Sequence, residues 1–200
     1  MKRKSIIFLL SILFSLTAFS QQDVTTEKRI RQLIKKMTLT EKVGLLHANS
    51  KFNVSGVKRL GIPEWALSDG PHGVRAEINR NDWKYAGWTN DSSTCFPPGT
   101  AMAATWNLEL TRQRGYVLGE EARFRKKDVL LGPGINIIRT PLCGRNFEYL
   151  SEDPFLISQL AAAYIKALQT KDVAASVKHY LANNQEDNRF TIDTYMSERA

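Results

Sequence analysis

Short apolar runs alternate along the chain with longer stretches of helical periodicity. Ile30, Leu33, Ile34 and Met37 recur at helical spacing and predict a short amphipathic helix over Thr25 to Met37. Thr38-Leu39-Thr40-Glu41 has the form of a capping box, which opens a second helix through Leu46. Trp65-Ala66-Leu67 predicts a strand that breaks at Ser68-Asp69-Gly70-Pro71, and residues 79–94, polar and aromatic with one glycine, predict a surface loop. Residues 94–107 hold another short apolar unit, after which Asn107 caps a helix from Leu108 to Lys126. Residues 128–141 read as a strand, a Gly132-Pro133-Gly134 turn and a second apolar run. Asp153 followed by Pro154 is an N-cap with proline at the first helical position, and Leu156, Leu160, Tyr164 and Leu168 then share one helix face. Val173 to Val177 is the next strand.

Strands alternating with helices predict a parallel sheet with crossover helices, an α/β chain. Such folds bind ligands beyond the carboxyl ends of their strands. The residues that fall there are Asp69, Arg145, Lys178 and His179. The apolar Val173-Ala174-Ala175 run ends in Lys178-His179 and then in the amides Asn183, Asn184 and Gln185, although an unpaired buried ammonium is costly. A full eight-stranded barrel needs about 250 residues. This chain has 200 and ends on Ser197-Glu198-Arg199-Ala200, which reads as a helix start, so it is expected to be the first part of a longer barrel.

Composition is ordinary for a globular protein, and its main effect is to set the amino terminus apart. Lys2-Arg3-Lys4, an apolar stretch from Ile6 to Leu16 and a small-x-small site at Ala18-Phe19-Ser20 predict a cleaved signal peptide over residues 1–20 and a secreted or periplasmic protein. The stretch is short for a membrane span, so no membrane contact is expected after cleavage. Three of the charges behind the net +8 belong to this segment, and the remaining basic residues, such as Arg123, Arg125, Lys126 and Lys127, are spread as solvated helix faces. A nucleic-acid partner is not expected. Cys95 and Cys143 are the only cysteines; export permits a disulfide, but their place in barrel segments favours two buried thiols. They carry no zinc spacing.

One anion among several donors suits a polyhydroxylated ligand, because a carboxylate accepts from two neighbouring hydroxyls while Arg, Lys and His donate to others. Each residue read alone has a plainer role. Asp69 could organise the Asp-Gly-Pro turn, and Arg145 could form a structural ion pair with Glu148 or Glu152. His47 and His72 read as structural. A lysine at a barrel strand end is also placed to form a Schiff base with a carbonyl substrate, which would make the protein a lyase. A non-catalytic sugar-binding protein is the remaining alternative. Adjacent strand residues face opposite sides, so Lys178 and His179 can serve one pocket only if the backbone departs from strand geometry. Trp65 and Trp106 read as core, and Trp83 and Trp88 as loop residues able to line a cleft.

Four segments in order, "LSDGPHGVR" (67–75), "FPPGTAMAATWN" (96–107), "LGPGINIIRTPLCGRNFEYLSEDP" (131–154) and "VKHYLANNQE" (177–186), resemble the N-terminal barrel domain of glycoside hydrolase family 3, in its β-glucosidase branch. The resemblance runs from about Ile30 to Ala200. It implies that residues 21–200 are the N-terminal part of a (β/α)8 TIM-like barrel, incomplete in this chain. It also implies a retaining exo-glycosidase acting on β-linked glucosides or xylosides, with no cofactor or metal. By position, Asp69 matches the carboxylate that holds glycone hydroxyls, Arg145 the arginine of the Gly-Arg-x-x-Glu motif, and Lys178 and His179 the Lys-His pair of the same subsite, whose peptide is cis in the family. The family's nucleophilic aspartate and acid/base glutamate lie in motifs absent before Ala200. None of these 200 residues is therefore expected to be catalytic; Asp193 does not match the nucleophile's context. The hexosaminidase branch carries a Lys-His-Phe-Pro-Gly-His-Gly run, whereas this chain continues Tyr180-Leu181-Ala182-Asn183-Asn184.

Overall fold

Four short strands form one sheet among the residues that the computed structural model describes, 24–88 and 92–199. They are β1 Asn53–Val54, β2 Trp65–Asp69, β3 Val129–Leu131 and β4 Ala174–Ala175, in the order β1-β2-β3-β4. β2, β3 and β4 are parallel, with Leu67 opposite Val129 and Val129 opposite Ala174. Helices α3 (Gly99–Ala104) and α4 (Leu108–Phe124) join β2 to β3, and α5 (Pro154–Gln169) joins β3 to β4. Parallel neighbours in chain order, each reached through a helix, are the repeating unit of a (β/α) barrel. β1 pairs antiparallel with β2 and carries no apolar run by which its two residues could be read as a strand. The predicted signal peptide lies outside the described residues.

The chain divides into two compact units. The first comprises the chain up to His47 with Gly56–Pro63. In it, residues 24–36 are helix α1 and Leu39–Gly44 are helix α2. The predicted capping box is present, with Glu41 N–H donating to the Thr38 hydroxyl at 3.2 Å and Thr38 N–H to the Glu41 carboxylate at 2.8 Å. The second unit, Ala48–Ser55 with Glu64–Ala200, holds the sheet and α3 to α5.

Local signals govern the long helices. The Asn107 side chain accepts from Glu109 and Leu110 N–H, and the Asp153 side chain from Phe155 N–H. α4 and α5 meet through Gly115, where a β-carbon would lie 2.5 Å from the Tyr164 carbonyl oxygen. That approach lets Leu118 and Ala122 of α4 join Tyr164 and Leu168 of α5, under Leu130 of β3, with Val74 and Val173. A second cluster joins Ala103, Leu150, Ile157, Leu160 and Ala161, and Ile135 and Ile137 pack on it. The apolar run after Gly134 is thus a packed segment. Its only ladder contact among the described residues is the Gly134–Lys178 bridge.

Several sequence expectations are corrected. β2 extends through Asp69, because Ser68 and Asp69 find partners in Leu130 and Leu131. Residues 94–107 contain helix α3. Trp65 and Trp106 are not core: they are 49% and 74% exposed, and Trp106, with φ of 54° just past α3, is turned outward. Cys143 is buried, but Cys95 is exposed in the stretch before α3, and both thiols are free. Of the residues after Ser197, 198 and 199 are described and form a turn.

Candidate functional site

Three of the four predicted residues belong to one ionic chain at the carboxyl ends of the strands. Asp69 is the last residue of β2, and Lys178 follows β4, bridged to Gly134. Lys178 Nζ donates to Asp69 Oδ1 at 3.0 Å and lies 3.1 Å from Glu148 Oε2. The other oxygen of Glu148 accepts from Arg145 Nε, and Arg145 reaches Glu186 Oε1 at 3.6 Å. Glu148 lies in a short 3-10 turn, Asn146–Glu148, and is 5% exposed. It is the hub: one buried carboxylate that fixes two cations. Of Arg145's two sequence candidates, Glu148 is therefore the partner.

Burial works against the charged form of Glu148, but the Arg145 hydrogen bond and the Lys178 ammonium outweigh it and hold its carboxyl below its ordinary range. Burial likewise opposes the Arg145 guanidinium, and Glu148 more than restores it. On Asp69 the two oxygens differ. Oδ1 takes Lys178 and, at 3.0 Å, the Gly70 N–H. Oδ2 faces Arg75 at 3.8 Å, too long for a direct hydrogen bond. Asp69 thus both organises its turn and presents an oxygen to the strand ends.

His179 occupies the adjoining part of the cluster. The Lys178–His179 peptide is cis. His179 N–H donates to Asn136 Oδ1 at 2.8 Å, and its Nδ1 lies 3.0 Å from the Tyr149 hydroxyl. Tyr149 follows Glu148 in sequence, so both members of the Lys-His pair are held by one short segment. Asn183 Nδ2 donates to the Tyr149 oxygen at 2.8 Å and to Glu186 at 3.1 Å, which closes the network onto Arg145. His179 also lines an open cavity of about 180 Å³ with Ile135, Asn136, Ile137 and Asn184, a cavity that Asp69, Arg145 and Lys178 do not line.

Burial, with Arg145 and Lys178 nearby, lowers the His179 imidazole from 6.5 to about 4. The unfolded chain then takes up this proton at a higher pH than the folded one. Stability is therefore full above pH about 6.5 and declines as pH falls towards about 4. We expect melting curves of the full-length protein to show this decline and His179→Asn to flatten it. A variant with the parent's slope would assign the decline to another group.

His72 meets the first residue of α3 and the segment at Phe147. Its Nε2 lies 3.1 Å from the Gly99 backbone nitrogen and 3.3 Å from the Phe147 carbonyl oxygen, and the ring stacks on Phe147. Burial, then Arg114, lowers its pKa, consistent with a neutral ring. The sequence points to Asn183 only as one of three strand-end amides, and it gives no sign of the contacts made by Arg75, Tyr149 and Asn136. All four lie within the quoted motifs, but only the folded chain shows what they touch. Among the described residues, no group of three His, Cys, Asp or Glu side chains could hold a metal ion.

A parallel β/α unit whose strand ends present a carboxylate between cations has the build of the ligand-facing end of a (β/α) barrel. The chain belongs to glycoside hydrolase family 3: residues 21–195 match the family described as Glycosyl hydrolase family 3 N terminal domain. It is 59% identical over 174 residues to Beta-glucosidase BoGH3A of Bacteroides ovatus, covering 87% of this chain and 23% of that protein. The solved GH3 beta-glucosidase of Bifidobacterium adolescentis superposes with a TM-score of 0.72 at 39% identity, over 83% of this chain and 23% of the other. Beta-glucosidase 3B from Thermotoga neapolitana, solved in complex with glucose, gives 0.69 at 39% identity, over 78% and 24%. The chain thus spans about a quarter of the length of these relatives, and its α/β fold is the N-terminal part of the family's TIM-like barrel.

Proposed function

We propose that this chain supplies part of the glycone subsite of a retaining, exo-acting β-glycosidase that releases a terminal glucose or xylose. The observation that carries the reading is the Asp69–Lys178–Glu148–Arg145 chain at the carboxyl ends of parallel strands. Asp69 accepts from two glycone hydroxyls. Lys178, Arg145 and His179 donate to the sugar's oxygens, each held in place by a protein partner before the ligand arrives. That pre-organisation lowers the cost of ordering long side chains on binding. Two relatives named beta-glucosidase, one of them solved with glucose, support the reading.

In a retaining mechanism an aspartate attacks the anomeric carbon while a glutamate protonates the departing oxygen, and water then releases the sugar. We assign both groups to sequence beyond residue 200. The residues described here bind and orient the ring. Residues 1–20 direct export, so the substrate is met outside the cytoplasm. The lyase alternative requires a neutral amine with a free lone pair at Lys178, whereas Nζ faces carboxylate oxygens of both Asp69 and Glu148.

The test is hydrolysis of aryl β-D-glucoside and β-D-xyloside by the full-length protein, with NMR of the first-formed sugar. Release of the β-anomer is expected. Release of the α-anomer, or binding of glucose without turnover, would reject the retaining glycosidase. Residues 1–200 expressed alone should show no hydrolysis above background. Turnover by the pure fragment would return Asp69 and Asp193 to consideration as nucleophiles.

A further inference from the structure

Arg75 approaches Asp69 from a corner made of two aromatic rings. Its guanidinium carbon lies 5.7 Å from the Phe52 ring centroid and 5.5 Å from that of Trp83. The two rings are 6.1 Å apart and meet at 85°. Both walls are anchored. The Phe52 carbonyl accepts from Leu67 N–H at 2.8 Å, which ties that ring to the strand ending in Asp69. Trp83 belongs to a turn closed by the Ile78–Tyr85 bridge, within which Asp82 Oδ1 accepts from Lys84 N–H at 2.8 Å and from the Asn79 amide at 3.1 Å. Arg75 itself is registered on Asp69, its N–H donating to the Asp69 carbonyl at 3.0 Å.

A free arginine side chain spreads over many rotamers. Contact with two ring faces narrows that spread, because a guanidinium both stacks on aromatic faces and is attracted to them. We propose that Phe52 and Trp83 are positioning residues for the glycone site, holding the Arg75 guanidinium beside Asp69 Oδ2 while Lys178 holds Oδ1. The proposal rests on the sugar-binding reading of Asp69. It gives the 78–85 turn a part in substrate recognition: through Trp83, it sets where Arg75 stands relative to the carboxylate that reads the hydroxyls. The aromatic corner acts on how firmly the sugar is held, so its effect falls on KM.

The test is a double-mutant cycle in the full-length protein. Trp83→Leu should raise KM for an aryl β-glucoside by about two- to fivefold, the worth of an exposed cation–π contact, with kcat little changed. Trp83→Phe should keep KM near that of the parent. In an Arg75→Ala background, Trp83→Leu should add nothing further. Additive effects of the two substitutions on KM would overturn the proposal, since Trp83 would then act other than through Arg75. The same four proteins, melted without substrate, read the contact directly. Coupling between the two sites in Tm supports the corner, and its absence overturns it. A parent inactive on every β-glycoside, by contrast, would reject the functional reading and leave the melting cycle to decide the corner.

Discussion

Asp69→Asn in the full-length protein is expected to lower kcat/KM on an aryl β-glucoside by about tenfold to a few hundredfold, with little loss of stability. The substitution keeps the shape of the side chain, removes its charge and turns one acceptor into a donor. A hydrogen bond to a charged group is worth roughly 1.5–3 kcal/mol, so losing about one such bond spans that range of rates. The structure gives Asp69 two roles to separate. Its Oδ1 accepts the Gly70 N–H, a turn contact that asparagine can also make, while Oδ2 is directed away from that bond and toward Arg75. If the turn were the whole role, Asp69→Asn would be silent in rate as well as in melting. If Asp69 reads the sugar, the loss is largest on substrates that keep the hydroxyls it touches and smaller on deoxy analogues lacking them. Equal kcat/KM of variant and parent on the glucoside would sink the assignment.

Glu148→Gln should affect stability more than any other substitution in the cluster and should raise KM as well. Removing one member of a buried ionic cluster strands its partners without their counter-charge. Such losses reach about 3–5 kcal/mol, and the lower end applies here because Lys178 keeps Asp69 and Arg145 keeps Glu186. The pH dependence follows from the direction of the shift. A carboxyl held below its ordinary value contributes stability that is complete above the unfolded pKa, about 4.3, and is lost as pH falls through the lower folded one. The parent should therefore lose stability steeply below pH about 4, under the window in which His179 acts, and Glu148→Gln should lose less there. Denaturant melts across the acid range measure both slopes. Identical acid slopes in variant and parent would show that Glu148 is not the hub.

What could be read before folding was local. The capping box at Thr38, the caps at Asn107 and Asp153, and the buried stripe of Leu160, Tyr164 and Leu168 rest on neighbours within a few residues, so sequence spacing alone determines them. The alternation of short apolar runs with such helices determines the parallel α/β class, because each run can bury both faces only between crossover helices. Polar residues after those runs mark the strand ends, which is where Asp69 and Lys178 lie.

Pairings across the chain were decided only by the tertiary structure. Lys178 meets a carboxylate 109 residues away. Arg145 selects Glu148 over Glu152 because the 3-10 turn at Asn146–Glu148 aims that side chain inward. Trp65 and Trp106 carry the apolar signal of core residues, yet they lie at a strand start and just past a helix end, where backbone direction turns them to the surface. The antiparallel β1, too short for a periodic signal, exists because β2 offers it an edge. Periodicity reports which face of an element is apolar. It does not report which distant element covers that face, and the candidate site is built from such distant meetings.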